Sequence, residues 1–76
     1  LEREGLPDEA VAMYRKAVKL DPKSASANYN LGSFLARSGK HAEAVVYLRA
    51  AVEADPKNVA AQQTLAQVLD SLGRKD

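Results

Sequence analysis

The side chains that could do chemistry are few in this sequence, and their spacing does not favour catalysis. His41 is the only histidine among 76 residues, and cysteine is absent. Without a second histidine or a thiolate as co-ligand, His41 is not predicted to bind zinc. It falls in the turn that enters a helix, and we interpret it as a surface or helix-start residue. Ser33, Ser38 and Ser71 have no base partner that would activate a nucleophile.

Carboxylates and glycines likewise lack a catalytic arrangement. The acidic residues are spread along the chain beside Lys and Arg, and Asp8 and Glu9 fall at a predicted helix start, where negative charge suits the helix dipole. Gly5, Gly39 and Gly73 are 34 residues apart, so they cannot form a phosphate-binding loop. We therefore predict no catalytic residues, no metal and no cofactor, and we expect the protein not to be an enzyme.

Composition and charge argue against two classes of partner. Eleven Lys and Arg balance ten Asp and Glu, for a formal net charge of +1. This balance predicts no basic patch for nucleic acid and none for an anionic membrane surface. No apolar run approaches the roughly 20 residues of a membrane span. Because the chain opens on Leu1 and not on Met, we interpret it as a segment of a longer protein.

An internal repeat is visible in the spacing of identical residues. The tripeptide Asp-Pro-Lys occupies residues 21–23 and returns at residues 55–57, a shift of 34. Glu-Ala-Val at residues 9–11 returns at residues 43–45 with the same shift. The three glycines named above and three leucines, Leu1, Leu35 and Leu69, follow the same period. A period of this length indicates a stacked-repeat architecture.

Each period contains two helical patterns separated by a glycine. Apolar residues recur at three- and four-residue steps on both sides of Gly39, which is typical of amphipathic helices. Ser24 and Asn58 are suited to cap helices at their N-termini, and Gly39 can close one in the left-handed conformation. Pro56, which follows Asp55, is predicted to end the helix that comes after Gly39. We predict helices over residues 8–20, 25–38, 42–54 and 58–72, with residues 1–4 ending an earlier helix.

This pattern of helix, turn and small residues resembles the tetratricopeptide repeat. The residues that carry the resemblance are Leu31, Gly32, Ala44, Leu48, Ala51 and Pro56. Two aromatic positions of that family are occupied otherwise, the early one by Asn28 and Gln62 and the later one by Leu35 and Leu69. Gly32 and Ala44 stand where two antiparallel helices should approach closely, so larger side chains there should overpack the seam.

The resemblance implies an all-α fold of antiparallel helix-turn-helix repeats stacked as an α-α superhelix. It makes residues 1–76 a single array with three parts. Residues 1–24 are then the second half of a repeat, residues 25–58 a complete repeat, and residues 59–76 the first helix of a further one.

The same resemblance implies a function in binding another protein or a peptide, because the first helices of such repeats line a concave surface. We expect the groove to be formed by Ser26, Tyr29, Asn30, Ser33, Arg37, Gln63, Thr64 and Gln67. Tyr29 and Asn30 are the best contact candidates among them. This face is evenly polar and does not indicate the charge of a ligand.

One known binding mode of the family is only partly represented. Some members hold a C-terminal carboxylate with Lys, Asn and Arg from successive first helices. Asn30 matches the Asn of that clamp, but Ala60 and Thr64 stand at the matching basic positions. The resemblance therefore implies an incomplete clamp in this chain.

Two alternative functions remain open from the sequence. Head-to-tail self-association would pair uncovered terminal helices, using the apolar residues of the last helix, Leu65, Val68, Leu69 and Leu72. The segment could also be the targeting arm of a larger enzyme.

Overall fold

The computed structural model describes the backbone of residues 2–73 and the side chains of residues 9–73. The described backbone forms four helices: α1 (Glu2–Leu20), α2 (Ala25–Arg37), α3 (His41–Ala54) and α4 (Val59–Ser71). Each helix packs on the next along the chain, most extensively α2 on α3, and α2 also contacts α4. The predicted all-α fold of stacked helical repeats is confirmed.

The 34-residue period of the sequence is also the period of the helices. The helices α2 and α4 both begin and end 34 residues apart, and so do the C-termini of α1 and α3 at Leu20 and Ala54. Packing against neighbours repeats with the sequence because the same residues recur at the same places on each helix.

The N-termini of α2 and α4 are capped as the sequence predicts. The Ser24 hydroxyl oxygen accepts a hydrogen bond from the Ala27 amide at 3.1 Å, and the Asn58 side-chain oxygen accepts one from the Ala61 amide at 3.1 Å. Each cap satisfies an amide that would otherwise have no partner within the helix.

Gly39 reverses the chain between α2 and α3. Its φ is +86°, in the left-handed region that glycine adopts at little cost. The Lys40 amide donates to the Leu35 carbonyl at 2.9 Å, and the Gly39 amide donates to the Ala36 carbonyl at 3.1 Å. This is the Schellman pattern, which satisfies the last carbonyls of α2. The short connection makes α2 and α3 an antiparallel hairpin.

The core lies within this hairpin and beneath α4. Leu31, Leu35, Ala44 and Leu48 are fully buried, and Val68 of α4 joins them at 3% exposure. A β-carbon added at Gly32 would lie 2.7 Å from the Leu48 Cγ and 3.1 Å from the Leu48 amide nitrogen. The absence of a side chain at position 32 is therefore what lets the two helices approach.

Asn28 shows how the chain departs from the aromatic residue of the family. It is only 2% exposed, and its side-chain amide donates to the carbonyls of Pro22 and Ser24, both at 2.9 Å. Gln62 occupies the equivalent place in α4 and donates to the Pro56 carbonyl from an exposed side chain. Where the family uses an aromatic ring, this chain fastens the Pro-marked turn to the helix that follows it.

Long side chains connect α1 to α3. The Arg15 guanidinium donates to the Glu43 carboxylate at 2.7 Å in a partly exposed ion pair. This hydrogen bond raises the pKa of Arg15. Tyr14, the residue before Arg15 in α1, contacts the Phe34 ring of α2 in a tilted arrangement with the centroids 5.8 Å apart.

The prediction for the start of the chain was wrong. Residues 2–4 belong to α1, which runs without interruption from Glu2 through Gly5 to Leu20, while Leu1 lies outside the described residues. The closing glycines at positions 39 and 73 have positive φ, whereas Gly5 is helical. A single turn of helix is too short to be stable as a separate element, and here it continues into α1.

Candidate functional site

A cleft opens between the C-terminal halves of α2 and α4, and we refer to it as the α2–α4 cleft. It has a volume of about 310 Å³. Its lining comes from α2, from the first residue of α3 and from α4: Ser33, Ala36, Arg37, His41, Thr64, Gln67, Val68 and Ser71.

The repeat explains why these residues meet. Ser33 and Gln67 are 34 residues apart, and so are Arg37 and Ser71, so each pair occupies the same place on equivalent helices. Because α2 and α4 are successive first helices, equal positions lie side by side on one surface of the array.

Half of the predicted groove residues line this cleft. Ser33, Arg37, Thr64 and Gln67 do so. The other four, Ser26, Tyr29, Asn30 and Gln63, are not part of its lining. Ser26, Asn30 and Gln63 are exposed, while Tyr29 is half-buried against the hydrophobic core. The predicted groove residues that line the cleft are thus those nearest the α2–α3 turn.

His41 is one of the lining residues that the predicted groove did not include. It is the first residue of α3, in line with its interpretation as a helix-start residue, and it is half-buried and lines the cleft together with Arg37. The chain reversal at Gly39 brings it back towards the end of α2. The signal in the sequence was a polar residue two positions after the predicted closing Gly39, at the start of the helix that returns along α2.

Chemically, the cleft offers hydrogen-bond donors and acceptors on a small apolar floor. The hydroxyl groups belong to Ser33, Thr64 and Ser71, and the amide belongs to Gln67. Ala36 and Val68 supply the apolar surface. Such a surface can orient a polar chain segment by hydrogen bonds, and it contains no pair of groups suited to general acid–base chemistry.

A second cleft lies at the opposite end of α3 and differs in character. It has a volume of about 390 Å³ and is lined by Pro22, Lys23, Ala50, Glu53 and Ala54. Although it is the larger cleft, it carries one charge of each sign and none of the residues of the predicted groove.

Metal and membrane sites were searched for in the described part of the chain. Among residues 9–73, no three His, Cys, Asp or Glu side chains are grouped so that they could hold a metal ion. Within residues 2–73, every helix is too short or too polar to cross a membrane.

The apolar surface predicted on α4 is smaller than the sequence suggested. The prediction that Val68 is uncovered was wrong, since it lies in the core, and Leu65 is half-buried against that core. Leu69 is half-buried and Leu72 is 41% exposed. The face of α4 that bears Val68 and Leu65 is already covered by the helices with which α4 packs inside this chain.

A comparison with protein families identifies the class to which this arrangement belongs. A family model described as tetratricopeptide repeat matches residues 1–59, more than three quarters of the chain. The chain therefore belongs to the tetratricopeptide repeat family. Repeats of this family generally mediate protein–protein interaction or scaffolding, and the family is generally non-catalytic. No curated protein matches the chain.

Proposed function

We propose that this chain is a non-catalytic scaffold whose groove between α2 and α4 binds an extended segment of another protein. The observation that carries the proposal is the α2–α4 cleft itself, which is lined by polar residues from equivalent places on the two helices. In an array of stacked repeats, this is the surface on which a ligand can run along successive repeats.

The size and lining of the cleft suit a peptide. At about 310 Å³ it is at the lower limit of the range for drug-sized ligands, which suits it to one or two side chains of a longer ligand. Ser33, Thr64 and Gln67 can pair with the amide and carbonyl groups that an extended backbone leaves unpaired.

The rest of the proposed contact surface lies outside the enclosed cleft. Ser26, Tyr29 and Asn30 precede Ser33 on the same face of α2, and Gln63 precedes Gln67 on α4. We assign them to shallower contacts along the same ligand. The proposal also keeps the division of the array into a half repeat over residues 1–24, a complete repeat over residues 25–58 and a further first helix over residues 59–76.

The test combines selection of ligands with obstruction of the cleft. Random twelve-residue peptides displayed on phage are selected on the immobilised chain, and binders are resynthesised with a fluorescent label for anisotropy titrations. Gln67→Trp places a large ring in the cleft from an exposed position, and Ala66→Trp adds the same ring at the neighbouring exposed residue, which does not line it.

We expect Gln67→Trp to weaken binding at least tenfold and Ala66→Trp to change it by less than about twofold, since truncating or blocking a central contact typically costs more than 1.4 kcal/mol. Circular dichroism confirms that both variants fold. Equal effects of the two substitutions, or no selected binder at all, would contradict groove binding.

Self-association is the second candidate function, and exposed apolar residues of α4 favour it. Leu72 is 41% exposed, and Val59 at the other end of the helix is 59% exposed. With Val68 buried, the predicted contact set is reduced to Leu69 and Leu72 with the edge of Leu65. A contact between unlike ends of two copies would propagate into a chain of copies unless it closed into a ring.

A further inference from the structure

The α2–α4 cleft is charged in one sign only. Its lining contains Arg37 and His41 but no Asp or Glu, although acidic residues are nearly as numerous as basic ones in the whole chain, at ten against eleven. The second cleft, by contrast, sets Lys23 against Glu53. A cleft whose only charged group is a guanidinium favours an anion, because the charge of the ligand then meets an opposite charge and no like charge in the lining.

We propose that the end of the α2–α4 cleft nearest the α2–α3 turn is a carboxylate subsite, which receives an Asp or Glu side chain of the bound peptide through Arg37 and His41. This inference rests on the proposed function, and it adds the charge of the ligand and the residues that read it. The predicted groove face included Arg37 but not His41, and it indicated no charge for the ligand.

Arg37 is held in place without being neutralised. Its guanidinium carbon lies 5.9 Å from the centroid of the Phe34 ring, within the range of a cation–π contact. Phe34 is itself supported by Tyr14 of α1. Such a contact does not use the N–H groups of the guanidinium as hydrogen-bond donors, so they can donate two parallel hydrogen bonds to a carboxylate.

The donors of Arg37 are not used by the protein side chains that the structure describes. Between residues 9 and 73 the ion pair is that of Arg15 with Glu43, and Arg37 forms no hydrogen bond or ion pair with another side chain there. Backbone amides of residues 38–40 already satisfy the carbonyls of Phe34, Leu35 and Ala36 at the end of α2. Among residues 9–73, a ligand would therefore displace no side-chain partner of Arg37.

His41 and the neighbouring hydroxyl groups complete the subsite. A neutral imidazole carries one N–H donor, and Ser33 and Ser71 each bring a hydroxyl that can donate. Together they can satisfy the carboxylate lone pairs that Arg37 leaves free. The subsite differs from the family's carboxylate clamp, since Ala60 and Thr64 stand at that clamp's basic positions and the cation here comes from the last turn of α2.

The experiment uses the peptides selected on the chain. Each Asp of a binding peptide is replaced by Asn and each Glu by Gln, which removes the charge and keeps the shape. Every peptide pair is titrated by anisotropy against the unaltered chain, Arg37→Gln and Arg49→Gln. Arg49 is an exposed arginine of α3 that does not line the cleft, so Arg49→Gln removes the same net charge elsewhere.

We expect one acidic residue of the peptide whose replacement weakens binding about tenfold with the unaltered chain and with Arg49→Gln, but less than about twofold with Arg37→Gln. Arg37→Lys keeps the charge and removes the planar fork, so it should retain part of the preference. Arg37→Lys also carries the test if Arg37→Gln does not fold as judged by circular dichroism.

The outcomes separate this inference from the proposed function. Peptides that bind and are blocked by Gln67→Trp, yet tolerate every acidic replacement, would overturn the carboxylate subsite and leave groove binding standing. So would an acidic preference that persists undiminished in Arg37→Gln. Failure to select any peptide, or peptides indifferent to Gln67→Trp, would overturn both.

Discussion

At the scale of single residues, the chain uses hydrogen bonds at a repeat position where its family has an aromatic side chain. In the family to which it belongs, an aromatic residue occupies the place that Asn28 holds here. Asn28 donates to two carbonyls around the turn at Pro22 and is buried, whereas Gln62 makes the corresponding bond at the surface. One repeat position therefore gives a matched buried and exposed pair.

The first prediction compares these two residues. Asn28→Ala should lower the free energy of unfolding by about 1–3 kcal/mol, because it removes two hydrogen bonds and leaves part-buried carbonyls with fewer partners. Gln62→Ala should cost less than about 0.5 kcal/mol, since water replaces the lost bond at an exposed site. Urea unfolding followed by circular dichroism measures both, and equal losses would show that burial is not what makes Asn28 important.

At the scale of elements, the connections determine how the helices meet. Capped N-termini at Ser24 and Asn58 and the Schellman turn at Gly39 define where α2 and α4 begin and where α2 ends. The turn at Gly39 also turns the chain so that His41 comes to line the cleft with Arg37. A local backbone conformation thus contributes to the binding surface as well as to stability.

The second prediction concerns this turn. A β-carbon at Gly39 would meet no atom within 4 Å, so the cost of Gly39→Ala comes only from the left-handed φ of +86°. We expect a loss of about 1–2 kcal/mol of unfolding free energy. Gly39→Asn should lose less, because asparagine tolerates this conformation better than alanine. Thermal melts of the unaltered chain, Gly39→Asn and Gly39→Ala give the order of their stabilities. Equal melting temperatures for Gly39→Ala and the unaltered chain would contradict the prediction.

At the scale of the whole molecule, the question is which surfaces remain uncovered. The α2–α4 cleft is open and polar, while the apolar residues of α4 are divided between the core and the surface. Packing within the chain covers Val68 and much of Leu65. The contact left for a second copy is thus narrower than the sequence alone indicated.

The third prediction is a solution mass measured across concentration by light scattering after size exclusion. If the exposed part of α4 pairs copies, the mass should rise with concentration, and Leu72→Glu should abolish the rise because an unpaired charge would be buried. Gln63→Glu adds the same charge on the groove side of α4 as the control. A constant monomer mass at every concentration excludes the second candidate function.

What the sequence by itself determined is the local and periodic part of the structure. The 34-residue period, the two N-caps and the closing glycine all depend on residue types at short or regular spacing. For that reason the fold class and the ends of α2, α3 and α4 could be predicted to within a residue. Half of the residues predicted for the groove line the α2–α4 cleft, because periodicity specifies the side of a helix on which a residue lies.

Only the tertiary structure decided how far each side chain is buried and which residues of other helices it contacts. A helical stripe does not distinguish Val68, which α4 buries in the core, from Leu72, which stays exposed. Nor does it show that Arg37 and His41, on different helices, share one cleft. Both facts depend on how three helices pack together and on the reversal of the chain at Gly39. The spacing of residues along a single helix contains no information about either.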